Sequence, residues 1–283
     1  MEAHKNLVIK GSKGRNMLLD IFFLHTTQPK PVIIYAHGFN GFKDWGNFDL
    51  IAKHFASAGF VFVKFNFSHN GTTVDEPEVF ADLDAYSKNN YTTELEDLQR
   101  VIEWVNEEHF FLQHTDVNRL GLLGHSMGGG ISIIKAAEED RIKALATWAP
   151  IAECQTPWGS WPSEKMKEWI DTGIQYITNT RTGQEMPLNY QLFEDYQNNK
   201  ERLNIEAATK RLMVPFLICH GIEDSSVLVE KAYLLHQWSE RSELFLVESD
   251  HVFGRKHPWN DSTLPQPMQL VLEKTVEFFS VEL

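Results

Sequence analysis

Apolar and polar residues alternate through Asn6 to Lys10, and apolar residues recur from Met17 to Leu24 across Gly11-Ser12-Lys13-Gly14. Such a pattern, bounded by Gly and Ser, predicts a hairpin with one exposed face. The rhythm then changes. Pro31 leads into Val32-Ile33-Ile34-Tyr35-Ala36, apolar at every position, which predicts a strand in a sheet covered on both sides. Comparable runs return at Phe60 to Phe67, Arg119 to Leu123, Ala144 to Trp148, Val214 to His220 and Glu243 to Val247.

Helical spacing fills the gaps between these runs. Asp44 to Ala58 puts Trp45, Phe48, Ile51, Ala52 and Phe55 on one face and stops at Gly59, a glycine placed to cap a helix. Thr93 to His109 carries Leu95, Leu98, Val101, Ile102 and Val105 at intervals of three and four. Strands alternating with helices predict βαβ units, hence an α/β fold with a mostly parallel central sheet and helices on both faces.

Residues 151–203 break the pattern. They contain no strand-like run but carry Trp158, Trp161, Trp169, Tyr176, Tyr190, Phe193 and Tyr196. Lys165 to Ile177 reads as a helix and Arg181 to Pro187 as a loop or small hairpin. The expected organisation is one domain of residues 1–150 and 204–283, discontinuous around a cap or lid insertion at 151–203. Neither repeats nor low-complexity tracts interrupt it.

Composition narrows the setting. A chain of 283 residues buries enough surface to need no disulfide or metal as a staple. With 26 Lys plus Arg against 39 Asp plus Glu, its net charge of −13 disfavours nucleic acid and anionic membranes as partners. Cys154 and Cys219 read as reduced thiols. The first residues hold no stretch resembling a signal h-region, and no run approaches the ~20 apolar residues of a membrane span. A soluble, cytoplasmic protein is expected, with homodimer formation left open.

The chemistry is carried by a strand-turn-helix. Arg119 to Leu123 runs into Gly124-His125-Ser126-Met127-Gly128-Gly129-Gly130 and then a helical stretch, Ile131 to Glu138. In that context G-x-S-x-G is a nucleophile elbow: the turn strains the serine backbone, and the flanking glycines let strand and helix approach. A serine hydroxyl needs a base, and the base an orienting acid. Chain order in α/β arrangements is Ser, then Asp or Glu, then His. Asp224 in Gly221-Ile222-Glu223-Asp224 follows one predicted strand, and His251 in Ser249-Asp250-His251 follows the next. Glu223 competes for the role of acid; His257 and His220 compete for that of base.

Acyl transfer also requires donors for a developing oxyanion. Met127 N–H is the first candidate, and Phe39 N–H in His37-Gly38-Phe39-Asn40-Gly41 the second, with Gly38 expected to supply unusual backbone geometry. His37 and His125 read as supporting residues. No cofactor or metal is expected. H-E-x-x-H and the phosphate-binding glycine motifs are missing from the sequence, and His109 and His114 have no carboxylate pair at ligand spacing.

Together the His37-Gly38-Phe39 loop, Gly124-His125-Ser126-Met127-Gly128, Asp224 and Asp250-His251 resemble the α/β-hydrolase superfamily over nearly the whole chain. The Asp250-His251-Val252-Phe253 ending and the cap more narrowly resemble bacterial carboxylesterases of the feruloyl or cinnamoyl type, and dienelactone-hydrolase-like or serine-aminopeptidase-like relatives. That resemblance implies a Ser-His-Asp hydrolase forming an acyl-enzyme on Ser126. The expected substrate is a small-molecule carboxylic ester with a small or aromatic acyl group. The acidic balance favours a neutral ester over a phosphorylated or CoA-linked one. A peptidase or thioesterase with the same triad is the alternative, and a non-catalytic binding protein of the same fold a more distant one.

Overall fold

The structure, a computed structural model, describes residues 1–107 and 111–283. Its strands are β1 (Glu2–Lys10), β2 (Asn16–Phe23), β3 (Lys30–Ala36), β4 (Val61–Phe65), β5 (Thr115–His125), β6 (Ile142–Trp148), β7 (Ile174–Thr178), β8 (Glu185–Asn189), β9 (Phe216–Gly221) and β10 (Ser242–Val247). The helices are α1 (Phe48–Ser57), α2 (Leu83–Ser87), α3 (Tyr91–Asn106), α4 (Met127–Glu138), α5 (Ser163–Thr172), α6 (Gln191–Asn198), α7 (Ile205–Arg211), α8 (Glu230–Trp238) and α9 (Gln266–Glu282).

Eight strands form one sheet in the order β1-β2-β4-β3-β5-β6-β9-β10. The β1/β2 and β2/β4 pairs are antiparallel; every pair from β4/β3 to β9/β10 is parallel. β3 shows why the apolar runs are unbroken. Val32, Ile34 and Ala36 enter one core with residues of α3 and α4, while Ile33 and Tyr35 enter a second core with residues of α1 and α9. A strand buried on both faces has no polar alternation to display.

Element boundaries moved for local reasons. β5 begins at Thr115, ahead of its apolar portion, and pairs with β3 through an irregularity near Pro31/Val32. The helix expected from Asp44 starts at Phe48, because Gly46 and Asn47 both adopt left-handed backbone, at φ 65° and 54°. Gly59 does take the expected capping conformation, at φ 104°. α3 begins at Tyr91, with the Asn90 side chain accepting from Thr93 N, and the described part of the helix ends at Asn106. The expected end, His109, lies outside the described residues.

Residues 151–203 correct one expectation. They do contain strands: β7 and β8 form an antiparallel two-stranded sheet. The helix predicted over Lys165 to Ile177 ends at Thr172, and Gly173 at φ 75° turns the chain into β7. The strand was hard to read because its burial inverts its polarity. Gln175 is buried while Tyr176 is exposed. Trp158 and Trp169, both buried, pack with Phe193 and join the larger core.

Candidate active site

Ser126 sits alone between the end of β5 and the start of α4, with φ 55° and ψ −119°. A non-glycine residue at positive φ is strained and needs its surroundings to hold it there. Ser126 N donates to Trp148 O at 2.9 Å, and Ser126 O accepts from Gly129 N at 3.0 Å and Ile151 N at 3.2 Å. The flanking glycines are required for space. A Cβ on Gly124 would lie 2.4 Å from Gly128 O, and one on Gly128 would lie 2.3 Å from His37 O.

Gly38 departs from expectation. Its backbone is not in the left-handed region; its role is clearance, because a Cβ there would stand 2.9 Å from Ser126 Cβ. The loop is pinned by His37, whose Nε2 accepts from Phe67 N at 3.3 Å and whose Nδ1 lies 2.9 Å from Gly38 O. Burial pushes the His37 imidazole down to about 4, against the hydrogen bond to Gly38. It is therefore neutral at physiological pH. Asn70 Nδ2 donates to Gly41 O at 3.2 Å and holds the far end of the same loop. Phe39 follows Gly38 on the cavity wall. Met127 opens α4, so its N–H is one of the first-turn donors without an intrahelical acceptor.

The turn after β9 and the loop after β10 bring Asp224 and His251 together, with His251 Nδ1 at 2.7 Å from Asp224 Oδ2. The other carboxylate oxygen accepts from Ser226 N at 2.8 Å and Val227 N at 2.9 Å. Burial opposes ionisation of Asp224, but the hydrogen bonds from His220 and His251 outweigh it and hold the carboxyl well below the usual carboxylate range. Glu223 is exposed instead, and its backbone N–H donates to Ser249 O at 3.0 Å.

The rival histidines have structural posts. His220 lies fully buried on β9, its Nε2 at 2.8 Å from Val227 O and 3.3 Å from Asp224 Oδ2. His257 Nδ1 accepts from Gly46 N at 3.1 Å, tying the chain beyond His251 to the turn before α1. His125 Nε2 lies 3.0 Å from His251 O, and burial holds its imidazole well below the usual histidine range, so the ring is neutral and donates to that carbonyl. His125 thus positions the loop that carries His251.

Ser126 and His251 line one cavity of about 330 Å³. No hydrogen bond joins their side chains among the described residues. Such contacts often tighten only when substrate enters. The rim includes Asn179 and Arg181 from the β7–β8 turn, and the inner wall includes Tyr35, Trp45 and Arg255. Arg255 and Arg181 do not stand out in the sequence as site residues. A basic residue four positions after His251 was the available signal for the first; nothing marked the second.

Among the described residues one carboxylate group has metal-like spacing, Asp20 with Asp44 and Asp49. Two buried ammonium groups already serve it: Lys43 Nζ lies 2.8 Å from Asp20, and Lys64 Nζ lies 2.6 Å from Asp49 and also contacts Asp44. The cluster is a buried ion-pair network between β2, β4 and α1.

A mostly parallel sheet, helices on both faces and a strained serine between strand and helix define the class as an α/β hydrolase fold. Residues 31–180 match the family model described as alpha/beta hydrolase fold, and the chain belongs to that family. The quorum-quenching protein AidA of Acinetobacter baumannii (strain MDR-ZJ06) is 25% identical over 128 residues, 45% of this chain and 38% of that protein. The chain therefore matches well under half the length of this curated relative. The esterase domain of a Rhodothermus marinus protein superposes with a TM-score of 0.65 at 18% identity, covering 98% of each chain. Est1E from Butyrivibrio proteoclasticus with ferulic acid bound superposes with a TM-score of 0.70 at 16% identity, again over 98% of each chain. At such identities the likeness speaks to the fold. No helix among the described residues is long and apolar enough to cross a membrane.

Proposed function

We propose that the protein is a serine hydrolase of carboxylic esters, with Ser126 as nucleophile, His251 as general base and Asp224 as the acid that orients it. The observation that carries this reading is the 2.7 Å contact from Asp224 to His251 Nδ1, which leaves Nε2 free toward the cavity it shares with strained Ser126. His251 Nε2 takes the hydroxyl proton as Ser126 Oγ attacks the ester carbonyl. The tetrahedral oxyanion is met by Phe39 and Met127 N–H, and the alcohol leaves with the proton from His251. Water then cleaves the acyl-enzyme by the same route in reverse.

In this reading residues 1–150 and 204–283 form the catalytic domain and 151–203 its lid, since Thr178 to Arg181 border the cavity. The partner is a small-molecule ester, no cofactor or metal takes part, and a homodimer is compatible with the reaction. A cytoplasmic setting suits two free buried thiols, of which Cys219 is pushed up to about 12 by burial and is inert as a nucleophile.

The test is a series of p-nitrophenyl esters of increasing acyl length, with methyl ferulate, assayed on wild type and Ser126→Ala. We expect turnover by wild type and a loss of kcat on the order of 10⁶-fold in the variant. Equal turnover by both proteins would overturn the assignment of Ser126, and turnover of none of the esters would overturn the esterase reading.

A further inference from the structure

The cavity is charged against the sense of the whole molecule. In a chain of net charge −13, its described lining contains Arg181 and Arg255 and no aspartate or glutamate. Arg255 is the unusual one. It is 4% exposed, its Nε donates to Val252 O at 3.1 Å, and its Nη1 is buried with no hydrogen-bond partner. Its guanidinium carbon stands 5.5 Å from the Trp45 ring centroid and 5.3 Å from that of Phe48. These rings offset part of the desolvation, but they accept no in-plane hydrogen bond. No carboxylate forms an ion pair with Arg255 among the described residues; the Asp250 carboxylate accepts from Val252 N and Gly254 N instead. A buried guanidinium with an unused donor is costly unless an anion completes it. Arg181, on the exposed turn between β7 and β8, reaches over the same cavity with its guanidinium carbon 5.7 Å from the Phe42 ring centroid.

We infer that the ester this cavity accepts carries a carboxylate, bound at Arg255 with Arg181 closing over it. A planar guanidinium fork matches a carboxylate bidentately, and a cavity of about 330 Å³ suits a small acid. The overall acidity governs the outer surface; it does not set the charge inside the cavity. The inference rests on the esterase reading only for which bond is cut.

The experiment compares matched substrates. p-Nitrophenyl hemiglutarate against p-nitrophenyl pentanoate puts the carboxylate on the acyl side; 4-acetoxybenzoate against 4-acetoxybenzamide puts it on the alcohol side. For wild type, kcat/KM should favour the anionic member of at least one pair by about tenfold or more, the worth of a charge-assisted hydrogen-bonded pair. Arg255→Met should lower that ratio by about 10- to 100-fold, Arg255→Lys should restore part of it, and Arg181→Gln should lower it by about threefold. Arg181 is exposed, so its variant keeps the test open even if Arg255→Met unfolds. A wild-type ratio near one in both pairs, or a ratio unmoved by all three substitutions, would overturn the inference. Calorimetric titration of Ser126→Ala with glutarate separates the two proposals. Glutarate binding that Arg255→Lys weakens, with no ester cleaved, keeps the carboxylate site and removes the esterase reading. Ester cleavage without glutarate binding or anionic preference does the reverse.

Discussion

Asp224 is over-determined at the level of single atoms. One carboxylate oxygen takes two backbone N–H groups, and the other lies between His251 Nδ1 and His220 Nε2. This arrangement fixes which nitrogen of His251 carries the proton, so that the other stays an acceptor toward the cavity. Asn at 224 would keep the shape but present an amide where the imidazole needs an acceptor. Asp224→Asn should therefore lower kcat on the order of 10⁴-fold, while Glu223→Gln, on an exposed side chain, should stay within about twofold. The reverse ranking in steady-state kinetics would reassign the acid. The proposed triad of Ser126, Asp224 and His251 could be read from the sequence because each residue follows a strand whose apolar run is plain. The posts of His220 and Arg255 were not, because they depend on partners set by the fold, such as Trp45 against Arg255 across the molecule. Gly38 fills a need for space and not for positive φ, two demands that a glycine in a sequence does not distinguish.

At the scale of elements, the junction of β3, β5 and α4 decides whether the elbow forms. Gly128 on α4 sits so close to β3 that a Cβ would meet Ala36 O at 2.5 Å as well as His37 O. Both obstacles are backbone and cannot swing aside. Gly128→Ala should destabilise the protein by roughly 2 kcal/mol or more, since overpacking here displaces a strand, and should also move the loop that begins at His37 and carries the proposed oxyanion donor Phe39. Chemical denaturation reads the first effect and kcat the second. An alanine variant of wild-type stability would mean that α4 does not approach β3 this closely. The central strands of the main sheet, such as β3 and β9, were legible because burial on both faces leaves their apolar runs nearly unbroken. β7 was not, because its buried position is held by Gln175 while Tyr176 is exposed, and β8 was not, because Pro187 stands in the middle of its short run. Lys64 interrupts the apolar run Phe60 to Phe67, yet it is fully buried in β4 among Asp20, Asp44 and Asp49. A charge can occupy such a strand only because β2, α1 and the loop between β3 and α1 deliver its partners, which no local window reveals.

For the molecule as a whole, buried titratable groups pull stability in opposite directions with pH. Burial pushes His37 down to about 4, and burial together with nearby Arg15 pushes His69 down to about 4. The unfolded chain takes up protons near the ordinary value of about 6.5, where the native state does not, so these groups remove stability as pH falls from that value toward 4. Glu94 and Asp97, both on α3, act oppositely. Burial raises Glu94 to about 8 and Asp97 to about 6. Between the ordinary carboxylate range and those values the unfolded chain has lost its protons while the native state retains them, so stability declines as pH rises through the window. Glu94 isolates this effect, because Asn89 Nδ2 donates to its Oε1 at 2.8 Å while Oε2 has no partner. Gln matches the neutral acid in shape and keeps that acceptor. Glu94→Gln should therefore leave Tm near the wild-type value at pH 4.5 and raise it by roughly 5 °C or more at pH 8.5, where wild type bears the cost of a buried proton or a buried charge. Scanning calorimetry at the two pH values measures the difference. A gap in Tm that is the same at both would mean that Glu94 titrates alike in the folded and unfolded chain, and that burial at the start of α3 does not set its charge.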